Sequence, residues 1–389
     1  MKIGIDARLW NETGVGRYIR NLIRNLHEID LSNEYILFCR NTDVERIKYE
    51  ILSNKWKIVS ADIRWHSLKE QLKFHQILNR ENLDLMHFTY FSVPLFYNRP
   101  FIVTIHDLIV YHFQTGKASS LPLPLYKVKH LGYRFLLDHI VKKSKKIIVP
   151  LNSTKLDVVK TLKVDEEKIA VTYEGVDEEV VDKPESMAGR KFNASSMKNE
   201  SSHTLYKKLN TKYFLYVGNA YPHKNLETLI KAFIELKRIY SQNIKLVLVG
   251  KPDYFYNKLK KRLEREQIAG VEVLEKVDDE TLKKLYKRST AVIAPAFIEG
   301  FGLVPLEAMA NGSLVLASDI PSHREVCSDI PIYFNPYSTQ DLINKLQMVL
   351  DHGIVDEKHK KMKAIQRIKE FSWKNMAIET LKVYEQTQK

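Results

Sequence analysis

The chain has 389 residues, 44% of them hydrophobic, which is enough for two cores and too much for one ordinary domain. It holds no run of about 18 or more apolar residues, which excludes a membrane-spanning helix of the usual kind, and only Cys39 and Cys327, which excludes a disulfide framework. The net charge of +14, from 61 Lys plus Arg against 47 Asp plus Glu, asks for an anionic partner, yet no nucleic-acid recognition motif accompanies it. The start, MKIGIDARLW, lacks the charged and apolar regions of a signal peptide, so the expected location is the cytoplasm.

Strand-like and helix-like segments alternate along the chain, the pattern of parallel sheets covered by helices. Lys2 to Asp6 reads as the first strand, Gly14-Val15-Gly16 as a turn, and Tyr18, Ile19, Leu22, Ile23 and Leu26 as the apolar face of a helix. Further strands are expected at Tyr35 to Cys39, Leu85 to Phe88, Phe101 to Ile105 and Lys146 to Val149, giving a first Rossmann-like domain over residues 1–181. Basic residues gather in this half, at Lys127, Lys129, Arg134, Lys142, Lys143, Lys145, Lys146, Lys155 and Lys160, with Tyr126, Tyr133, Phe135, Leu136 and Ile140 among them. Such a surface suits anionic lipid headgroups; a solvated face of a Lys-rich protein fits the same residues.

Residues 182–204 are polar, hold Pro and Gly, and read as a linker by composition. Beyond them, strands are expected at Tyr213 to Val217, Lys245 to Val249, Val271 to Leu274, Ala291 to Ala294 and Leu314 to Ala317, a second Rossmann-like domain over residues 205–371. The fold class is therefore α/β, with two Rossmann-like domains facing a central cleft. In open parallel sheets, ligands lie beyond the carboxyl ends of the strands. The loop Gly218 to Asn225 falls there and precedes a helix with Leu226, Leu229, Ile230 and Phe233 on one face. Lys224 sits at the start of that helix, where a cation opposes the dipole, and a bound diphosphate would resolve the conflict.

The stretch AVIAPAFIEGFGLVPLEAMANG, Ala291 to Gly312, reads as strand, Gly300-Phe301-Gly302 loop, and a helix from Pro305 to Ala310 closed by Gly312. Its free loop N–H groups suit a phosphate. Glu299 and Glu307, with seven residues between them, repel one. They suit hydroxyls instead, and a vicinal diol fits the two oxygens of a carboxylate. The ligand implied has phosphates in the middle and hydroxylated rings at both ends, as a nucleotide diphosphate sugar does.

At these residues the chain resembles family 4 of the retaining glycosyltransferases, with the two-domain GT-B fold. Beside EGFGLVPLEAMANG the likeness covers IDARLWNETGVGRYIRNL, DLMHFTYFSVPL, IVTIHDL, YVGNAYPHKNLETLIKAF and FSWKNMAIETLKVYE, nearly end to end. The resemblance implies that Lys224 neutralises the donor diphosphate, that Glu307 holds the ribose hydroxyls, and that Glu299 faces the donor sugar. It places backbone N–H groups of Phe301, Gly302 and Leu303 on the sugar and phosphates, with Gly218 and Asn219 in the same donor-binding set. Gly14 and Gly16 resemble the glycine loop that closes over the diphosphate, and His106, in the pair His106-Asp107, resembles the residue beside the reacting sugar. Many members carry an arginine near position 219, where this chain has Asn219; Arg17 is a substitute across the cleft, or an ordinary helix arginine. The resemblance also has the final helix, in residues 372–389, crossing back to the first domain.

The activity implied is transfer of a hexose with retained configuration, mannose from GDP-mannose as the best candidate, to a saccharide or lipid-linked acceptor in surface polysaccharide synthesis. The nucleotide sugar is a co-substrate; no cofactor or metal is expected, since His87, His112 and His223 show no ligand spacing. A peripheral position at the inner face of the membrane fits the basic residues. Alternatives are a UDP-sugar donor, a nucleotide-sugar epimerase, a phosphorylase carrying lysine-bound pyridoxal phosphate, and a scaffold with a dead cleft.

Overall fold

The computed structural model describes residues 1–51, 55–113, 123–176, 211–240, 244–275, 277–352 and 357–387. The chain divides into two compact units, Met1–Gly175 together with Phe371–Lys389, and Val176–Glu370. The expected linker, 182–204, lies outside the described residues.

In the first unit, the described strands are β1 (Lys2–Asp6), β2 (Glu34–Cys39), β3 (Trp56–Ser60), β4 (Leu85–Phe88), β5 (Phe101–Thr104), β6 (Ile147–Val149) and β7 (Ile169–Val171). They form one sheet in the order β3-β2-β1-β4-β5-β6-β7, every pair parallel. The register sets Ile5 beside Leu37 on one flank and His87 on the other. The strands β4, β5 and β6 are buried along their whole length, so they read as mainly apolar runs, broken only by His87 and Thr104. β3 and β7 were not expected: they are edge strands, and WKIVS and IAV are too half-polar or too short to stand out.

The helix Gly14–Ile29 buries Gly16, Tyr18, Ile19, Leu22, Ile23 and Leu26, the stripe that the spacing predicts. It starts at Gly14, however, so Gly14-Val15-Gly16 is its first turn and not a loop ahead of it. The helix Trp373–Gln386 packs on it, burying Trp373, Met376, Ala377, Thr380, Val383 and Tyr384. Phe74, Phe88, Val103, Ile140 and Ile147 lie in the core on the sheet.

The second unit has β8 (Tyr213–Val217), β9 (Lys245–Val249), β10 (Val271–Leu274), β11 (Ala291–Ala294), β12 (Val315–Ser318) and β13 (Ile332–Phe334). Their order is β10-β9-β8-β11-β12-β13, again all parallel. β13, a three-residue edge strand, also escaped the sequence pattern. Leu226, Leu229, Ile230 and Phe233 of the helix Leu226–Ile239 enter a core with Leu246, Ile293 and Leu316. In both sheets the direction of chain progression reverses at one place, between β1 and β4 and between β8 and β11. The crevice at such a reversal, beyond the carboxyl ends, is where open sheets bind ligands.

Candidate active site

In the second unit, the loops after β8 and β11 flank the reversal and carry the residues singled out from sequence. Lys224 lies on a short 3₁₀ turn, Pro222–Lys224, and the helix begins only at Leu226 after Asn225 in the left-handed region (φ 59°). Lys224 is therefore ahead of the helix and not in its first turn. Asn225 fastens this corner: its Nδ2 donates to the carbonyls of Pro295 and Pro336, both at 2.9 Å.

The Lys224 ammonium reaches both oxygens of Glu299 at 2.6 Å, with the two side chains 18% and 17% exposed. Burial pushes the Glu299 carboxyl up, but Lys224 first, then His323 and His223, hold it below the ordinary carboxylate value. Sequence reasoning assigned these two side chains to different parts of the ligand and did not expect the pair.

Gly302 sits at φ 85°, and the helix that follows runs from Leu303, two residues earlier than expected, to Ala310, with Pro305 inside its first turn. The cap residue, a glycine, makes no side-chain hydrogen bond to the first-turn amides. Phe301 is buried beneath the turn. Glu307 is 2% exposed, and the hydroxyl of Tyr286 donates to its Oε2 at 2.8 Å. Tyr286 was missed, because its helix Asp279–Arg288 gives no motif; only its packing against Glu307 identifies it. Gly218 and Asn219 are held by their carbonyls, which accept from the hydroxyls of Tyr256 at 2.9 Å and Tyr216 at 2.6 Å. The side-chain oxygen of Asn219 accepts from the Tyr221 N–H at 3.3 Å, so it stabilises its own turn.

In the first unit, Gly16 meets the loop after β1 so closely that a Cβ there would lie 2.6 Å from the Trp10 carbonyl and 2.8 Å from that of Leu9. Around Gly14 no atom of the described residues would lie within 4 Å of such a Cβ. Arg17 follows, half-buried on the same helix. His106 lies after β5, edge-on to Tyr18 of that helix at 4.8 Å between ring centres. Its Nε2 donates to the Thr89 carbonyl at 3.0 Å and its Nδ1 is 3.2 Å from Glu174 Oε1. Both ring nitrogens thus lie against oxygens able to accept a hydrogen bond.

A buried cluster that sequence reasoning missed braces the loops after β1 and β4. Arg8 donates to Asp6 at 2.9 and 2.7 Å and to Glu70 at 2.8 Å, and Ser92 donates to Glu70 at 2.5 Å. Glu70 opens a π-helical turn, Glu70–Phe74, and the Arg8 guanidinium stacks on the Phe74 ring at 3.7 Å. The spacing Asp6-x-Arg8 at a strand end was the available signal.

His87 bonds to Tyr384 and Thr104, and His112 to Asp157, while His223 stacks on Tyr221. Among the described residues, no group of three or more His, Cys, Asp or Glu is placed to hold a metal ion, and no helix is long and apolar enough to cross a membrane.

Residues 13–180 match the model for glycosyltransferase family 4, and residues 197–369 that for glycosyl transferases group 1. The O-antigen chain mannosyltransferase RfbU of Salmonella typhimurium is 29% identical over 74% of this chain and 71% of its own length. Among solved structures, sucrose-phosphate synthase of Thermosynechococcus elongatus superposes with a TM-score of 0.77 at 17% identity, covering 99% of this chain and 98% of that one. HepE of Anabaena in complex with UDP-glucose gives 0.72 at 14% identity, covering 99% and 100%. With a matching family model over each half and the same double-sheet architecture, the chain belongs to glycosyltransferase family 4 and is a glycosyltransferase of the GT-B fold.

Proposed function

We propose that this enzyme moves a hexose, with mannose from GDP-mannose as the favoured donor, to a saccharide or lipid-linked saccharide acceptor in the synthesis of a surface polysaccharide. The observation that carries the reading is the Lys224–Glu299 pair, set at the carboxyl ends of the two strands flanking the sheet reversal. An ammonium held there by a carboxylate is placed to transfer its charge to an arriving diphosphate. The uncapped amides of the helix Leu303–Ala310 add their partial positive charge to the same anion. Glu299, once released, accepts from sugar hydroxyls, and Glu307, oriented by Tyr286, from the ribose. The mannosyl transfer for which RfbU is named supports mannose, whereas the UDP-glucose bound to HepE supports a uridine donor as the second reading.

Retention follows from front-face attack in this proposal. The bond from the anomeric carbon to the diphosphate breaks with its electron pair staying on phosphate. The acceptor oxygen then bonds to that carbon from the same face, and its proton passes to the departing phosphate. A double displacement needs a carboxylate close to the anomeric carbon on the opposite face, and in this reading Glu299 is turned to the sugar hydroxyls instead. Charge stabilisation on the leaving diphosphate is thus the main task of Lys224 and the helix end. No cofactor or metal has a part in it.

A location at the inner face of the membrane belongs to the same proposal. Leu131 and Phe135, 65% and 66% exposed and one helical turn apart, lie on the helix Leu123–Lys143 with Arg134, Lys142 and Lys143. The side chains of Tyr126, Lys127 and Lys129 fall outside the described ones. Thermal unfolding with GDP, UDP and ADP and their sugar conjugates tests the donor, since a ligand of the folded state raises the midpoint. A shift with one base, lost in Lys224→Ala, supports the transferase reading; no shift with any of them defeats it.

A further inference from the structure

His323 has no part in the reading above. Its side chain is fully buried on the helix Pro321–Cys327, and Nδ1 lies 3.0 Å from the Ser318 carbonyl. A carbonyl only accepts, so Nδ1 carries the hydrogen and Nε2 keeps its lone pair. That Nε2 is buried and meets no hydrogen-bond partner among the described residues. An orphaned buried polar atom is costly, so its presence calls for a reason.

The ring lies under the Gly302 turn, where a Cβ would stand 3.3 Å from its Cδ2 and 3.7 Å from its Nε2. Two charges face it, Glu299 from the loop after β11 and Lys224 from the loop after β8. On its own helix, the neighbouring Arg324 is bound by Asp319 at 2.7 Å, and the Tyr333 hydroxyl donates to the His323 carbonyl at 3.1 Å. Burial, with a smaller push from Lys224, lowers the pKa of the ring; Glu299 and the Ser318 carbonyl oppose this. Of the two histidines near the pair, His323 acts on the Glu299 carboxylate more strongly than His223 does. With Lys224 on Glu299 the ring is neutral. If Lys224 departs, Glu299 becomes a buried carboxylate without that counter-ion, a costly state, and Nε2 of His323 is an unsatisfied atom able to bind a proton on a ring that interacts with the Glu299 charge.

We propose that His323 takes up one proton at Nε2 when a nucleotide sugar draws Lys224 away from Glu299, so that an imidazolium replaces the ammonium as counter-charge of the carboxylate. The proton comes from solvent, and Nε2 gains a hydrogen while Nδ1 keeps its bond to Ser318. His323 is then a positioning residue that holds Glu299 ionised and oriented toward the sugar while Lys224 serves the diphosphate. This inference rests on the donor-site reading of Lys224.

Calorimetric titration with GDP-mannose and with UDP-glucose, in buffers of different ionisation enthalpy near neutral pH, tests it. The diphosphate diesters of these donors do not titrate there, so proton exchange reports on the protein. Wild type is expected to take up about one proton per nucleotide sugar bound, with affinity falling by up to about tenfold per pH unit as pH rises. His323→Gln is expected to bind with that uptake lost, and His223→Gln to retain it. Glu299→Gln, which leaves no charge to compensate, is expected to abolish uptake and decides the matter if His323→Gln does not fold. Wild-type binding without uptake, or equal uptake in His323→Gln or Glu299→Gln, overturns the proposal alone. Binding of neither donor to wild type overturns the donor-site reading and this inference with it.

Discussion

Nδ1 of His87 and the hydroxyl of Tyr384 lie 2.7 Å apart inside the first unit, joining strand β4 to the last helix of the chain. The other ring nitrogen meets the Thr104 hydroxyl at 2.8 Å, which is itself 3.1 Å from that of Tyr18. Burial first, then His106, lowers the His87 pKa to about 3 from 6.5. Between those values the unfolded chain binds the proton and the folded one does not. Stability from this group is therefore complete above about pH 6.5 and declines as pH falls toward 3, by up to about 1.4 kcal/mol per unit. His87→Gln, which does not titrate, should show a shallower loss of unfolding free energy over that window. Parallel curves for the two proteins would refute the assignment.

Lys224→Ala should lower turnover by on the order of a hundredfold or more, comparable to losing one oxyanion donor. It also leaves Glu299 without its partner, and should cost about 1–3 kcal/mol of stability. Adding Glu299→Gln should restore much of the stability and none of the activity. The wild-type pair gives the complementary pH effect: the lowered Glu299 pKa adds stability above the unfolded carboxyl value, lost as pH falls through the folded one. Steady-state kinetics and denaturant unfolding of the single and double variants check both halves; near-normal turnover in Lys224→Ala would be decisive against it.

Tyr286→Phe removes the hydroxyl that fixes Glu307. A hydrogen bond to a charged acceptor is worth about 1.5–3 kcal/mol, so donor binding should weaken by up to about a hundredfold, mostly in KM. Direct nucleotide titration measures this, and unchanged affinity would show that Glu307 needs no such support.

Gly16→Ala and Gly14→Ala should part company although they are two residues apart. At Gly16 the new methyl meets two backbone carbonyls, and the start of the helix must shift at a cost of about 1–3 kcal/mol. At Gly14 nothing among the described residues lies within 4 Å, and replacing glycine in a helix gains up to about 1 kcal/mol. Thermal midpoints of the two variants should move in opposite directions; equal shifts would contradict the packing described.

The buried strands and the two amphipathic helices after β1 and β8 were legible because burial on both faces, or on one helical stripe, writes itself into residue spacing. β3, β7 and β13 were not, since an edge strand needs little apolar sequence. Helix starts at Gly14, Leu226 and Leu303 depend on backbone angles at the cap, which spacing does not encode. The candidate site followed the same division. Glu299, Glu307 and Lys224 could be chosen from a loop pattern, but Tyr286 and His323 come from other helices and join them only through packing. That Lys224 and Glu299 bind each other is likewise a fact of three dimensions: the two loops meet because β8 pairs with β11.

The helix Trp373–Gln386 completes the first unit, yet the ribosome makes it after the whole of the second. Through most of synthesis, the apolar stripe of the helix Gly14–Ile29 and the ring of His87 thus lack the cover that Tyr384 and its neighbours supply. The first unit therefore cannot be complete until the helix Trp373–Gln386 has been made, and any release of the nascent chain before Phe371 leaves it open.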